Sequence, residues 1–224
     1  MVYFPSSTHL STKRLLITSG PTREYLDPVR FLSNASSGKM GCALANAALQ
    51  TGWEVVLISG PVLVEYPKEI ELHSVVSTEE MHDWALRLFP NCDMVIGAAA
   101  PCDYRPKNVS EKKLSKSDFS GLIELVETPD ILAALGQIKR PEQILVAFAL
   151  ETHEAKSRAL QKMRRKNADF IVVNSPDAIN SEETRFDIYD RSEKRICSMN
   201  GSKKQLAERL FEFTISTGRF AERL

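Results

Sequence analysis

Short apolar runs rich in branched side chains alternate along this chain with longer stretches whose apolar residues recur at helical spacing. "RLLITSG" (Arg14 to Gly20) predicts a buried strand ending in turn residues. "MGCALANAALQTG" (Met40 to Gly52) predicts an alanine-rich helix stopped by glycine, and "EVVLISG" (Glu54 to Gly60) a second strand. "TEEMHDWALRLF" (Thr78 to Phe89) reads as a helix whose acidic first turn suits the helix dipole, and "DMVIGAAA" (Asp93 to Ala100) as the next strand. "TPDILAALGQI" (Thr128 to Ile138) predicts a short helix with Thr128 as cap and Pro129 at its first position. A strand "QILVAFAL" (Gln143 to Leu150), a helix "HEAKSRALQKMRRKN" (His153 to Asn167) and a strand "DFIVVN" (Asp169 to Asn174) follow. "RFDIYDRSEKRICSM" (Arg185 to Met199) has the two short β-like segments of an antiparallel hairpin, and "KKQLAERLFEFTIS" (Lys203 to Ser216) closes the chain as an amphipathic helix. The one conspicuous polar excursion runs from Asp103 to Gly121.

Strands this apolar are covered on both faces. The expected fold is therefore α/β: a three-layer, Rossmann-like, mainly parallel sheet with helices on both faces and a C-terminal antiparallel hairpin. Residues 1–13 read as an N-terminal tail and 14–224 as one nucleotide-binding domain, with a mobile loop at about 105–121. The 224 residues, 43% hydrophobic and 26% charged, can bury a real core. Lysine and arginine balance aspartate and glutamate, 29 against 29, so the whole chain has no bias towards nucleic acid or membrane and any anion site must be local. Cys42, Cys92, Cys102 and Cys197 are too scattered for a zinc site or a disulfide framework. No leader-like start and no stretch of about 20 apolar residues is present, and a cytoplasmic location is expected.

In open parallel sheets, ligands gather beyond the carboxyl ends of the strands. That places the chemistry in the loops after Ser19, Ala99 and Leu150. "FLSNASSGKMG" (Phe31 to Gly41) puts Ser36, Ser37 and Gly38 just before a helix, where unpaired N–H groups favour phosphate or carboxylate. The spacings of GxGxxG and of GxxxxGK[ST] are absent, and Ser36 or Ser37 acting as a plain cap is the alternative. Cys102 has no nearby histidine to make it a nucleophile.

The wording is more specific than the composition. "ITSGPTREYLDPVRFLSNASSGKMG", "IGAAAPCDYRP", "EKKLSK", "TPDIL", "FALET" and "QKMRRKN", in that order, resemble bacterial phosphopantothenoylcysteine synthetase from about Leu15 to Asn174. The resemblance implies a ligase of coenzyme A synthesis: 4'-phosphopantothenate is activated by CTP, with Mg2+ on the phosphates, to an acyl-cytidylate that L-cysteine then attacks. It implies that Asn34 bonds the activated acyl group, that Arg30 holds the pantothenate portion or the intermediate, and that Lys113 closes a lid over the triphosphate. Arg30 could equally pair with Asp27 or Glu24. For the nucleotide it implies Ser36, Ser37, Gly38, Gly97, Ala98, Ala99, Asp103, Lys113, Pro129, Asp130, Ile131, Leu132, Phe148, Lys162 and Lys166. No metal ligand is assigned. The resemblance also implies a homodimer, for which the hairpin edge is the expected surface, and a decarboxylase supplied by a separate chain. Departures from the family's pattern are Pro101 and Cys102, the bulk of Leu150, and Ser115 where a lysine is usual. A non-catalytic nucleotide-binding subunit is the alternative function, followed by an NAD(P)-dependent reductase.

Overall fold

The computed structural model describes residues 12–116, 121–150, 154–174 and 183–216. Its elements in chain order are β1 (Arg14–Ser19), β2 (Arg23–Tyr25), β3 (Phe31–Ser33), α1 (Lys39–Gln50), β4 (Glu54–Ser59), β5 (Glu71–Ser74), α2 (Thr78–Leu88) and β6 (Met94–Gly97). Then come β7 (Tyr104–Pro106), β8 (Leu125–Glu127), α3 (Ile131–Ile138), β9 (Ile144–Leu150), α4 (Ala155–Arg165), β10 (Phe170–Asn174), β11 (Glu183–Asp190), β12 (Arg195–Ser202) and α5 (Lys203–Ser216).

Eight strands form one sheet in the order β12-β11-β10-β9-β6-β1-β4-β5. From β10 to β5 every pairing is parallel, and β11 and β12 continue the sheet antiparallel. The alternation of β1 shows why: Leu15 and Ile17 pack with α1 and α5, while Leu16 packs on the opposite face with α2, α3 and α4. Both faces are thus covered and three layers result. Among the described residues no helix is long and apolar enough to cross a membrane.

α2 begins at Thr78 as expected and is capped by Ser77 in a capping box with Glu80. Thr78 is turned inward to Glu24. α3 is capped by Asp130, whose side chain accepts from the Ala133 amide at 3.1 Å. Thr128, the expected cap, instead donates its hydroxyl to the Cys102 carbonyl at 2.5 Å. A side chain with a buried partner elsewhere is lost to capping, which sequence spacing cannot reveal. The short strands β2, β3, β5, β7 and β8 also escaped the pattern, because three or four residues carry no readable period.

At the amino ends of β9 and β10, Asp169 accepts from Lys139 Nζ at 2.5 Å and from the Leu145 amide at 2.8 Å, and Arg191 Nε lies 3.2 Å away. The Lys139 and Asp169 side chains are only 3% and 4% exposed. Removing one member leaves a charge in a dry site, so Asp169→Ala should lower unfolding free energy by about 3 to 5 kcal/mol. Urea denaturation should show a lower midpoint with the slope unchanged. A midpoint equal to wild type would mean that the pair contributes nothing net.

Candidate active site

The chain leaves β1 towards β4 on one side of the sheet, whereas β6 pairs with the other side of β1. Their carboxyl ends therefore diverge into a crevice that no crossover covers. A cleft of about 1000 Å³ opens there, lined by the loop into α1, the loop after β6, the start of α3, the end of β9, one face of α4 and the first residue of α5. Among the expected site residues, only Arg30 and Lys113 are absent from its lining.

The loop into α1 leaves the start of the helix without a side-chain cap. The cap position is Gly38 at φ 73°, and no side chain bonds the first-turn N–H groups, so neither Ser36 nor Ser37 acts as a cap. A side chain at Gly38 would be strained by that φ and would also meet the Tyr66 hydroxyl at 2.9 Å. Tyr66 fixes this corner by donating to Ser19 Oγ and sharing a hydrogen bond with Ser59 Oγ, each at 2.9 Å. Lys39 follows directly, and Lys203 reaches the same cleft from α5. Burial first, and the neighbouring Lys39 second, hold the Lys203 ammonium below the usual lysine pKa, which favours an anion between them. Lys203 was not expected from sequence: it lies more than 160 residues beyond this loop, and no local pattern marks it.

Opposite the start of α1, Asn34 donates through Nδ2 to the carbonyls of Pro101 (2.9 Å) and Ala100 (3.3 Å). Its donor end is therefore turned to the loop after β6, leaving Oδ1 as the acceptor end of the amide. An added Cβ at Gly97 would lie 2.5 Å from Leu132, so the glycine admits the α3 side chain. Phe148, Ala149 and Leu150 form the β9 wall, so the unusual bulk of Leu150 does reach the cleft.

On α4, Lys162, Lys166, Arg158 and Arg165 all line the cleft. Lys166 is tied to Asp130 at 2.9 Å, and Arg165 approaches the same carboxylate at 3.4 Å. Burial works to raise the Asp130 pKa, but Lys166, together with the Ala133 amide and the Arg165 charge, outweighs it and the net shift is downward. Part of the positive charge facing the cleft is thus already balanced. Cys102 is buried, and burial pushes its thiol pKa up, which opposes a thiolate nucleophile. Among the described residues no group of three or more His, Cys, Asp or Glu is placed to hold a metal ion.

Arg30 makes the structural pair rather than facing the cleft. It bonds the buried Asp27 carboxylate through Nε at 2.8 Å and through a second nitrogen, and donates to the Leu114 carbonyl at 2.8 Å. Asp27 also accepts from the Leu114 amide at 3.2 Å, and the Ser110 amide donates to the Leu26 carbonyl. The excursion after β7 is therefore anchored by polar bonds. Residues 117–120 of the expected lid lie outside the described residues.

A family profile described as "DNA/pantothenate metabolism flavoprotein C-terminal domain" matches residues 10–217. The chain is 47% identical over 174 residues to the coenzyme A biosynthesis bifunctional protein CoaBC of Bacillus subtilis, covering 77% of this chain and 43% of that protein. It is 37% identical over 208 residues to the protein of the same name from Haemophilus influenzae, covering 92% and 52%. It thus spans about half the length of these curated relatives. The crystal structure of the C-terminal domain of a CoaBC protein matches with a TM-score of 0.78 at 38% identity, over 90% of this chain and 93% of that one. A Cab2 mutant in complex with phosphopantothenate-cysteine shares the fold, with a TM-score of 0.76 at 18% identity over 91% and 85%.

The Asp27 anchor has a defined pH range. The Arg30 hydrogen bonds hold the Asp27 carboxyl well below the usual carboxylate range, against the opposing effect of burial. Because folding lowers this pKa, the ionised anchor stabilises the fold at all pH values above the unfolded value of about 3.9. Its contribution is lost only as pH falls from there towards the depressed native value. Asp27→Ala should therefore speed tryptic cleavage after Lys112, Lys113 or Lys116 several-fold at pH 7 without ligand. Unchanged cleavage would mean that other contacts hold the loop.

Proposed function

We propose a function from the premise that this chain belongs to the DNA/pantothenate metabolism flavoprotein C-terminal domain family. It joins 4'-phosphopantothenate to L-cysteine, using CTP, as a step of coenzyme A synthesis. The observation that carries this reading is the meeting of cations from both faces of the sheet at one cleft. Lys39, Lys203 and the uncapped start of α1 stand on one side, and Lys162 and Lys166 of α4 on the other. Two anions, a phosphorylated carboxylic acid and a triphosphate, need such an arrangement to approach each other. The printed names of the CoaBC relatives support the pathway.

In this reading the substrate carboxylate oxygen attacks the α-phosphorus of CTP, the bond to the β-phosphate oxygen breaks, and pyrophosphate leaves. The cysteine nitrogen then attacks the acyl carbon. The acyl–oxygen bond to CMP breaks and the amine loses its proton. Gly97 to Ala99, Asp103, Pro129 to Leu132 and Phe148 bound the base and ribose, and Lys162 with Lys166 flank the phosphates. The acceptor end of the Asn34 amide is suited to an N–H donor such as the incoming amine. Mg2+ would supply neutralising charge on the triphosphate. Arg30 and Lys113 take part in this reading only if ligand binding draws the anchored loop towards the cleft. A homodimer also belongs to the proposal. Exposed Val29, Phe31, Tyr104, Val109 and Leu125 lie on or beside the β2–β3 and β7–β8 hairpins and offer an apolar face besides the β12 edge.

Protein mixed with CTP, phosphopantothenate and Mg2+ should release pyrophosphate, and added cysteine should release CMP. No pyrophosphate with any nucleoside triphosphate would contradict the ligase reading. Asn34→Asp would set a carboxylate beside the Ala100 and Pro101 carbonyls and abolish both donated bonds. Amide formation should fall by about 10²-fold, the cost of a displaced reacting geometry once the loop after β6 loses these bonds. Wild-type turnover would leave Asn34 with a backbone role alone. For assembly, light scattering should give twice the monomer mass at micromolar concentration. A fully active monomer would remove the dimer.

A further inference from the structure

Behind the cleft lies a buried polar chain that the proposed chemistry does not use. Glu24 on β2 is 4% exposed, and its Oε1 accepts from both the amide and the hydroxyl of Thr78, each at 2.8 Å. Thr78 and Thr22, 1% and 0% exposed, share a hydroxyl–hydroxyl bond of 2.8 Å. Thr22 Oγ1 in turn accepts from the Cys102 amide at 2.9 Å. On the other side of that residue, Thr128 donates to the Cys102 carbonyl at 2.5 Å and its amide bonds the Asp103 carbonyl at 3.0 Å. The segment fixed in this way carries the Ala100 and Pro101 carbonyls that hold Asn34, and Asp103 at the cleft.

The hydrogen atoms in this chain have one consistent order. A carboxylate can only accept, so Thr78 gives its single hydroxyl hydrogen to Glu24. Thr78 then accepts from Thr22, which leaves Thr22 a lone pair for the Cys102 amide. The weaker contact from the Thr78 hydroxyl to the Cys102 carbonyl, at 3.3 Å, loses to the nearer carboxylate. With a neutral side chain at position 24 the direction is no longer imposed as strongly, and reversal would place two hydrogens between Thr22 and the Cys102 amide.

We infer that Glu24 is a positioning residue: by directing the Thr78–Thr22 hydroxyl chain, it fixes the Pro101–Asp103 segment and through it the Asn34 amide. The catalytic half of this inference rests on the ligase reading, and the structural half stands without it. The separating experiment combines amide exchange by NMR on labelled protein with steady-state kinetics, for Glu24→Ala, Glu24→Gln, Thr78→Val and Thr78→Ser. Exchange at the Cys102 amide should quicken at least about tenfold in Glu24→Ala and Thr78→Val, less in Glu24→Gln, which keeps an acceptor although a weaker, neutral one, and little in Thr78→Ser. The kcat for amide formation should follow the same order and fall by about 10²-fold at worst, the cost of a displaced reacting geometry. Unfolding midpoints need not follow that order. Wild-type exchange at Cys102 in Thr78→Val overturns the chain. Quickened exchange with wild-type kcat overturns the positioning role. If wild-type protein itself shows no turnover, the ligase reading fails, and the exchange data still decide whether Glu24 orders the segment.

Discussion

The pairing of β1 with β6 is the constraint on which the rest depends. Because β1 connects onward to β4 on one side and β6 joins it on the other, the two loops at their carboxyl ends must part. A crevice is unavoidable, and the helices of both faces bring their ends to it. The loop before α1, the loop after β6 and the cap of α3 are all consequences of that one topological choice. Burial enforces it: Leu15, Leu16 and Ile17 are wholly buried between two helical layers, so β1 cannot slide or leave the centre of the sheet.

The crevice must also be kept in shape while empty, and polar bonds around it do this. Tyr66 ties Ser19 to Ser59 beneath the loop before α1, and Asp27 with Arg30 ties the excursion after β7 to the β2–β3 turn. Such bonds are directional, so they fix distances that apolar packing alone would leave adjustable. The ends of the cleft differ accordingly. Near Asp130 the lysine charge is already paired, and at the α1 end Lys39 and Lys203 bring like charges together.

Much of this was legible in the sequence, and the failures have a common cause. β1, β4, β6, β9 and β10 stand close to where their apolar runs place them, since a doubly covered strand must be apolar throughout. α5 begins and ends at its expected residues, Lys203 and Ser216. The cap of α3 was misplaced because Thr128 and Asp130 are both cap formers by type, and Thr128 is drawn away by the carbonyl of Cys102, 26 residues distant. Lys203 was missed for the same reason, and the pairing of Arg30 with Asp27 stood only as an alternative to a ligand role. Side-chain chemistry names candidates, but long-range contacts decide which partner each one takes.

The central claim is that triphosphate and acid meet in the cleft beyond β1 and β6. The most direct test is a crystal structure with CTP and Mg2+ bound. The account expects cytosine against Phe148 and the loop after β6, with phosphates between the start of α1 and Lys162. Nucleotide bound instead in the groove between α1 and α5 formed by Cys42, Asn46, Val64 and Lys204, with the cleft left to solvent, would contradict it.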